Sequence, residues 1–536
     1  MKFLTTQADR EEAQRRLREL LTSRGEWFCA EVGAGRSRAM DSFRAPVTLR
    51  VGDWELRAAG GALHFSCWTE RGARVWRVAA WEWSGGKLLL RVTRRAGAER
   101  ATLELVARAS AREDAAEIAA ARRAACERLA ELVCARVPGA KMESARLSMG
   151  ARRSEPGRYA RILLRRGRRE LIAATGALVA LRAHEVDAML ASALAWWLRL
   201  GEGVRARSTR GSSGAAQLWI IASRELSRAT AERLALLRAE VRGAIKLFEL
   251  NDSNAAAGSD ESTTKSLSEV ETPRLESLLE GARRFRFAPR AEAGGSAARL
   301  VALAPEEIDV VRARHGETVR FNGLAFARVR RVVGRERVWF GVPGAGQKIL
   351  LDEGNARQLS KLIDELAEHR RADGGDRRHA YFRAAPEAWL ESILRRDITR
   401  LDPGLIVSPL HVQFRTSREG AGARPVDLLA LRRDGRLVVI ELKVSEDGAL
   451  PIQGADYWRR VEAHRRSGDL KRARLFGDLE IADEPPLVYL AAPVFRFHRA
   501  FPMLARTVST EIEMFRFDLN EDWRAGVRVV RRTRVN

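Results

Sequence analysis

The stretch Arg424-Pro425-Val426-Asp427-Leu428-Leu429-Ala430-Leu431-Arg432-Arg433-Asp434-Gly435-Arg436-Leu437-Val438-Val439-Ile440-Glu441-Leu442-Lys443 decides how the C-terminal part of this chain is read. Two apolar runs flank Arg433-Asp434-Gly435-Arg436, and Asp-Gly between such runs is a hairpin signature. Pairing across the turn brings Asp427 and Glu441 to neighbouring strand positions. Glu441 and Lys443 share a face because strand side chains alternate with period two. Asp427, Glu441 and Lys443 therefore converge on one pocket. Of 95 Lys plus Arg residues, nine are Lys (Lys2, Lys87, Lys141, Lys246, Lys265, Lys348, Lys361, Lys443, Lys471), so a basic position here is Arg about nine times in ten. A lysine inside Glu-x-Lys stands out against that background.

Upstream, Pro386 suits a first helical turn, and a helix is predicted from Glu387 through Glu391 to about Thr399. A strand is expected at Ile406–Thr416, with His411 in it. Downstream, Gln453 and Tyr457 lie four apart, on one face if that segment is helical. Two carboxylates suit a hard cation, usually Mg²⁺ with several waters retained. Such a cation activates water and stabilises charge on a phosphate, and a lysine can orient that water or neutralise the developing charge. Glu391 is placed to hold a metal-bound water or add a ligand. Gln453 and Tyr457 are placed to fix a nucleic-acid backbone. Singly, each piece reads as solvated charge or ordinary surface; the combination is what points to a nuclease.

Residues 380–460 resemble the PD-(D/E)xK, restriction-endonuclease-like superfamily, and within it the C-terminal domain of NucS/EndoMS-type endonucleases and RecB-type nuclease domains. The matching residues are Pro425-Val426-Asp427, Glu441-Leu442-Lys443 and Gln453-x-x-x-Tyr457. The resemblance implies a central mixed sheet flanked by helices. It implies that Asp427 and Glu441 bind Mg²⁺, or Mn²⁺ in its place, with the carbonyl of Leu442 as a further ligand. It makes Lys443 the catalytic base or charge stabiliser. Glu391 matches the family's helix acid, with Glu387 competing one turn earlier. Pro451 departs from the pattern, which usually runs straight into a helix. The first 380 residues do not match the N-terminal half of NucS, so mismatch specificity is not carried over.

The 536 residues exceed one core. A net charge of +25 and a pI near 11.0 favour a polyanionic partner. DNA, single-stranded, branched or mismatched, is the expected substrate; RNA stays open, and a homodimer is compatible with the sequence. Cys29, Cys67, Cys126 and Cys134 show no metal or disulfide spacing and read as reduced thiols. Gly341–Lys348 fails as a P-loop, because Gln347 precedes Lys348 and Ile349 follows it; a hairpin turn is expected. The eight histidines show no zinc spacing. Trp81 and Trp83, two apart on a strand, read as core. The N-terminus becomes charged too early for a signal peptide. The longest apolar run, Leu171–Leu181, is far short of the roughly 20 residues that span a bilayer. A cytoplasmic protein without a membrane partner is expected.

The fold class expected is multidomain α+β and α/β, with strand-rich N-terminal domains and a C-terminal restriction-endonuclease-like sheet. Residues 1–140 read as a helix at 9–23, an antiparallel meander over Val47–Ala107 and a closing helix at 110–137. Residues 141–250 read as α/β: a hairpin (Tyr159–Ala174), a helix with Trp196-Trp197, a strand at Leu218–Ile221 and a helix at 225–248. This domain is weighed as a degenerate copy of the last one, lacking the acid/Glu-x-Lys pair. Residues 251–275 read as a flexible acidic linker, 276–375 as a small strand-rich domain with a helix near 355–370, and 376–536 as the nuclease domain. The function expected is a metal-dependent endonuclease. Its rivals are a nucleic-acid-binding scaffold with a vestigial nuclease domain, and an RNA-processing nuclease.

Overall fold

The computed structural model describes residues 2–23, 26–32, 47–50, 52–69, 72–84, 87–94, 99–107, 114–150, 156–167, 170–207, 217–253, 264–280, 295–313, 316–332, 335–342, 349–374, 376–407 and 426–536. His411, Pro425, residues 254–263 of the expected linker and residues 343–348 of the expected turn lie outside them. The chain is a multidomain α+β protein, with four sheets among the described residues, flanked by helices, and a strand-rich N-terminal region. It divides into two compact units, Met1–Ala115 with Ala293–Phe382, and Ala116–Glu292 with Arg383–Asn536. Among the described residues no helix is long and apolar enough to cross a membrane.

The first unit opens with β1 (Lys2–Phe3), α1 (Gln7–Ser23), β2 (Glu26–Val32), β3 (Val47–Arg50), β4 (Trp54–Ala59), β5 (Ala62–Thr69), β6 (Gly72–Ser84), β7 (Lys87–Arg94) and β8 (Glu99–Ala107). Strands β4 to β8 form an antiparallel meander as expected, but Val47–Arg50, expected as its first strand, pairs with β2 instead. The unanticipated β2 joins β8 and carries β3 at its outer edge. Leu17 and Leu21 of α1 bury against Trp27, Trp54, Trp76 and Trp81. Trp83 meets Trp27 edge-on at 6.0 Å, so the Trp81/Trp83 face packs inward as expected. Cys29 and Cys67 are buried free thiols.

Helix α2 (Asp114–Ala135) departs from expectation. It does not close the meander, whose apolar face is already covered by α1. Its stripe Cys126, Leu129, Ala130 and Val133 packs on Ile162, Leu164, Ile172 and Trp219 of the second unit. That unit continues with β9 (Ala140–Met149), β10 (Pro156–Arg166), β11 (Glu170–Gly176), α3 (Val186–Arg207), β12 (Gln217–Ser223), α4 (Arg224–Leu234), α5 (Ala239–Gly243), β13 (Ile245–Ser253), β14 (Thr264–Val270) and α6 (Leu275–Glu280). The helix expected at 225–248 thus breaks into α4, α5 and the start of β13. Ile245 and Leu247 face one side of the sheet and Phe248 the other, as in a strand buried on both faces. The expected acidic linker is also corrected at its far end. Residues 264–270 pair antiparallel with β13, Leu267 opposite Leu250, and Leu267 is buried.

In the first unit, α7 (Gly295–Val301), β15 (Ile308–Ala313), β16 (Gly316–Phe321), β17 (Leu324–Val332), β18 (Arg335–Phe340) and β19 (Ile349–Leu350) precede α8 (Ala356–His369) and α9 (Ala380–Arg383). The strands form a second antiparallel meander. Helix α8 buries Leu359, Ile363 and Leu366, a spacing of one helical face.

The second unit ends with α10 (Pro386–Arg396), β20 (Leu405–Val407), β21 (Leu428–Arg432), β22 (Leu437–Leu442), α11 (Leu450–Arg466), α12 (Asp469–Arg472), β23 (Leu487–Pro493), α13 (Phe501–Ala505), β24 (Met514–Leu519) and β25 (Val529–Arg534). The sheet order is β20-β21-β22-β23-β24-β25. Every residue of β22 and β23 is buried, and the two run parallel at the sheet centre, where strands are covered on both faces. Pro451 lies in the first turn of α11, where a missing N–H costs nothing. Helix α11 sits so close to β23 that a Cβ on Gly454 would lie 2.7 Å from Leu490 Cδ2. The order of the middle sheet is β9-β10-β11-β12-β13-β14. Both sheets pair in the same succession: antiparallel, antiparallel, parallel, parallel, antiparallel.

Candidate active site

The hairpin turn forms where the sequence places it. Gly435 takes φ +83°, a conformation glycine adopts without steric cost, and Arg432 N donates to Arg436 O at 2.8 Å. Leu428 pairs with Ile440 and Leu431 with Leu437. That register sets Asp427 opposite Glu441. Asp427 Oδ2 accepts a hydrogen bond from Leu442 N at 2.9 Å, which fixes the aspartate against the end of β22. Glu441 and Lys443 share a face as the alternation requires, with Lys443 Nζ donating to Glu441 Oε1 at 2.6 Å. Both are buried, Glu441 at 1% and Lys443 at 6% exposure, while Asp427 remains half-buried.

The electrostatics follow from that crowding. Burial and the Glu441 carboxylate push the Asp427 carboxyl well above its usual range, against the pull of Lys443 and the Leu442 amide. Burial also raises Glu441, partly offset by Lys443. For Lys443, burial opposes the charged form, but Glu441 and Asp427 outweigh it and the ammonium is held on. Asp427 and Glu441 act on each other's carboxyl groups. With both ionised, neither can donate, and Glu441 Oε2 is then a buried oxygen without a hydrogen-bond partner. A buried carboxylate oxygen left in that state is costly and is a natural ligand for a cation.

Helix α10 brings its acids to this cluster. Glu391 is buried, lies 3.3 Å from Arg395 one turn on, and its charge reaches Asp427. The charge of Glu387 reaches both Glu441 and Lys443. The two acids the sequence leaves in competition thus both act on the site. Gln453 Nε2 donates to Tyr457 Oη at 3.0 Å, and both side chains are buried. They stand behind the carboxylates rather than on an exposed surface. Burial, with Glu441 and Asp427 nearby, raises the Tyr457 phenol, so it stays neutral.

Two carboxylates and one lysine therefore meet, supported by two acids of α10 and a buried Gln–Tyr pair. Among the described residues no group of three or more His, Cys, Asp or Glu side chains is placed around one point. A two-carboxylate site suits Mg²⁺, which keeps most of its waters, better than an ion that demands a full protein cage.

Sequence reading missed Asp456, which lies between Gln453 and Tyr457 on the same helix. Asp456 pairs with Arg233 of α4 at 2.9 Å, with Arg459 at 2.7 Å and with Arg460. Arg233 also bonds Asp187 of α3 at 3.0 Å. Although burial works against it, the Arg233, Arg460 and Arg459 guanidinium groups hold the Asp456 carboxyl far below the usual range. Burial, with Asp456 beside it, pushes the Asp187 carboxyl upward against the pull of Arg233 and Arg460. The cluster ties the helix that carries Gln453 and Tyr457 to the neighbouring sheet domain. No local sequence signal marks a contact between residues so far apart.

No protein-family model matches the chain, and no curated protein matches it. Among solved structures, "Structure of EndoMS in apo form" is similar at a TM-score of 0.16 and 14% sequence identity, over 47% of this chain and 98% of that one. A likeness that loose carries no argument about fold or activity.

Proposed function

We propose that this chain is a metal-dependent endonuclease that hydrolyses DNA phosphodiester bonds at Asp427, Glu441 and Lys443. The observation that carries this reading is the pair of facing carboxylates on adjacent strands, with Glu441 Oε2 buried and unbonded beside a buried lysine. Asp427 and Glu441 would hold Mg²⁺ or Mn²⁺, joined by the Leu442 carbonyl. When bound, such an ion activates water and stabilises charge on phosphate oxygens.

The chain's own groups complete the chemistry. Lys443, kept as an ammonium by Glu441 and Asp427, neutralises charge that develops on the phosphate. That protonation state favours the charge-stabilising role over the base. Glu387 and Glu391 orient water on the helix side. The Gln453–Tyr457 pair fixes the inner wall and keeps the two carboxylates in place. The excess of positive charge on the chain supplies sequence-independent affinity for the nucleic-acid backbone.

The test is a cleavage screen of the purified full chain with end-labelled single-stranded, branched and mismatched DNA, and with RNA, with Mg²⁺, Mn²⁺ or chelator. The expected result is metal-dependent cleavage of DNA. Cleavage confined to RNA would reassign the substrate. Binding to these substrates without cleavage of any would favour a scaffold with a vestigial site.

A further inference from the structure

The two sheet domains of the second unit match in more than strand order. Helix α2 precedes β9 as α10 precedes β20. Helices α3 and α11 each link the third strand to the fourth, and α4 and α13 the fourth to the fifth. Leu218 N donates to Ala244 O at 2.9 Å, and Val488 N to Glu513 O at 2.9 Å, the same bond at the entry to the fourth strand of each.

The domains also meet through like parts. Leu237 bridges Val508 antiparallel, and each stands three residues past the end of α4 or α13. Arg238 N donates to Thr507 O at 2.9 Å, and Ser509 N donates to Leu236 O at 2.8 Å. A segment that meets its own counterpart reciprocally is the signature of a two-fold interface. Here both halves belong to one chain.

Register then locates the counterpart of the active site. Tyr159 bridges Ala177 and Ile162 pairs with Ala174, which sets Arg161 opposite Thr175 as Asp427 is set opposite Glu441. Thr175 pairs with Ile220 as Glu441 pairs with Leu490. Ala177 stands where Lys443 does. Leu163 and Ala173 pack with α3, as Leu429 and Val439 pack with Tyr457 and Val461 of α11, so both sets face the corresponding helix. The acids are gone, and the sign of the site is reversed. Arg161 is half-buried, its guanidinium 5.7 Å from the Trp196 ring centre. Among the described residues it has no acidic partner; the charge it feels is that of Arg199, on the exposed side of α3. Burial and Arg199 both disfavour the Arg161 cation, a cost that a bound anion would remove.

We propose that the domain of β9–β14 is a catalytically empty counterpart of the domain of β20–β25, and that Arg161, with Arg199, takes a backbone phosphate of the strand that is not cut. The proposal rests on the nuclease reading above. A duplex has its own local two-fold symmetry, so a two-fold pair of domains presents equivalent faces to its two strands. One face carries the carboxylates and the other an arginine.

The experiment measures duplex DNA affinity of the full chain by fluorescence anisotropy across a salt series, with Asp427→Asn as the parent to prevent cleavage. Arg161→Gln should weaken binding several-fold and lower the slope of log affinity against log salt by about one, the mark of one lost phosphate contact. Arg161→Lys should restore most of both, and the melting temperature should not move. With Asp427 intact, Arg161→Gln should raise several-fold the DNA concentration that half-saturates single-turnover cleavage. Affinity and slope of Arg161→Glu equal to the parent's would overturn the proposal while leaving the nuclease reading standing. Loss of slope in Arg161→Gln, in a protein that cleaves nothing with any metal, would keep the phosphate site and remove the nuclease reading. A parent that binds no DNA removes both.

Discussion

Lys443 illustrates what a single residue does here. Its ammonium neutralises Glu441 inside the fold, so the role proposed for it in cleavage and its structural role would coincide. Lys443→Met should therefore do two things. Cleavage should fall by at least about a hundredfold, the scale of losing one charge-stabilising group. Stability should fall by about 3–5 kcal/mol, because a buried carboxylate loses its partner. Combining it with Glu441→Gln should recover much of the stability and none of the activity, as read by urea denaturation and cleavage rates together. At this scale much of the site was legible. Alternation and a two-strand turn suffice to bring Asp427, Glu441 and Lys443 together. The burial of Gln453 and Tyr457 was not legible, nor was the sharing of the site between Glu387 and Glu391. Both depend on how α11 and α10 are rotated against the sheet, which tertiary packing sets.

At the scale of elements, the meander of β4–β8, the hairpin of β21–β22 and helices α1, α8 and α10 follow from local patterns of period two or of one helical face. Errors arise where a pattern is ambiguous or its partner is distant. The apolar stripe of α2 says that it packs, but not on which sheet. Residues 264–270 look like acidic linker because Leu267 and Val270 are their large apolar side chains, and both face inward. Residues 245–248 extend a helical-looking run, yet β12 and β14 claim them as a strand. The closeness of α11 to β23 gives a direct test. Gly454→Ala places a methyl against Leu490 and Val488. It should cost about 1–3 kcal/mol by overpacking and lower cleavage with it, because α11 carries Gln453 and Tyr457 behind the carboxylates. Thermal denaturation and single-turnover cleavage measure the two effects. A variant as stable and active as the parent would show that this contact does not position the helix.

At the scale of the molecule, Asp456 and Arg233 join two sheet domains through buried charge. Removing one partner of such a pair is strongly destabilising, so Asp456→Asn should cost about 3–5 kcal/mol at neutral pH. Because the folded Asp456 carboxyl is held low, its contribution is present above the unfolded carboxylate value near 3.9. It is lost as pH falls through the lower folded value. The gap between parent and variant should therefore stay constant from neutral pH down to about 5 and narrow below about 4, as followed by denaturation at each pH. The paired domains add a kinetic expectation. With carboxylates on one face only, supercoiled plasmid should pass first to the open circle, and linear product should appear only after it. Simultaneous linear product would contradict a single cutting face. Every cleavage expectation depends on Asp427 and Glu441 as the reacting centre. That assignment is tested most directly by the single-turnover cleavage rate of labelled DNA in Mg²⁺ or Mn²⁺, parent against Asp427→Asn. A loss of at least about a hundredfold is expected, with DNA affinity retained; cleavage by the variant at the parent's rate would remove Asp427 from the reacting centre.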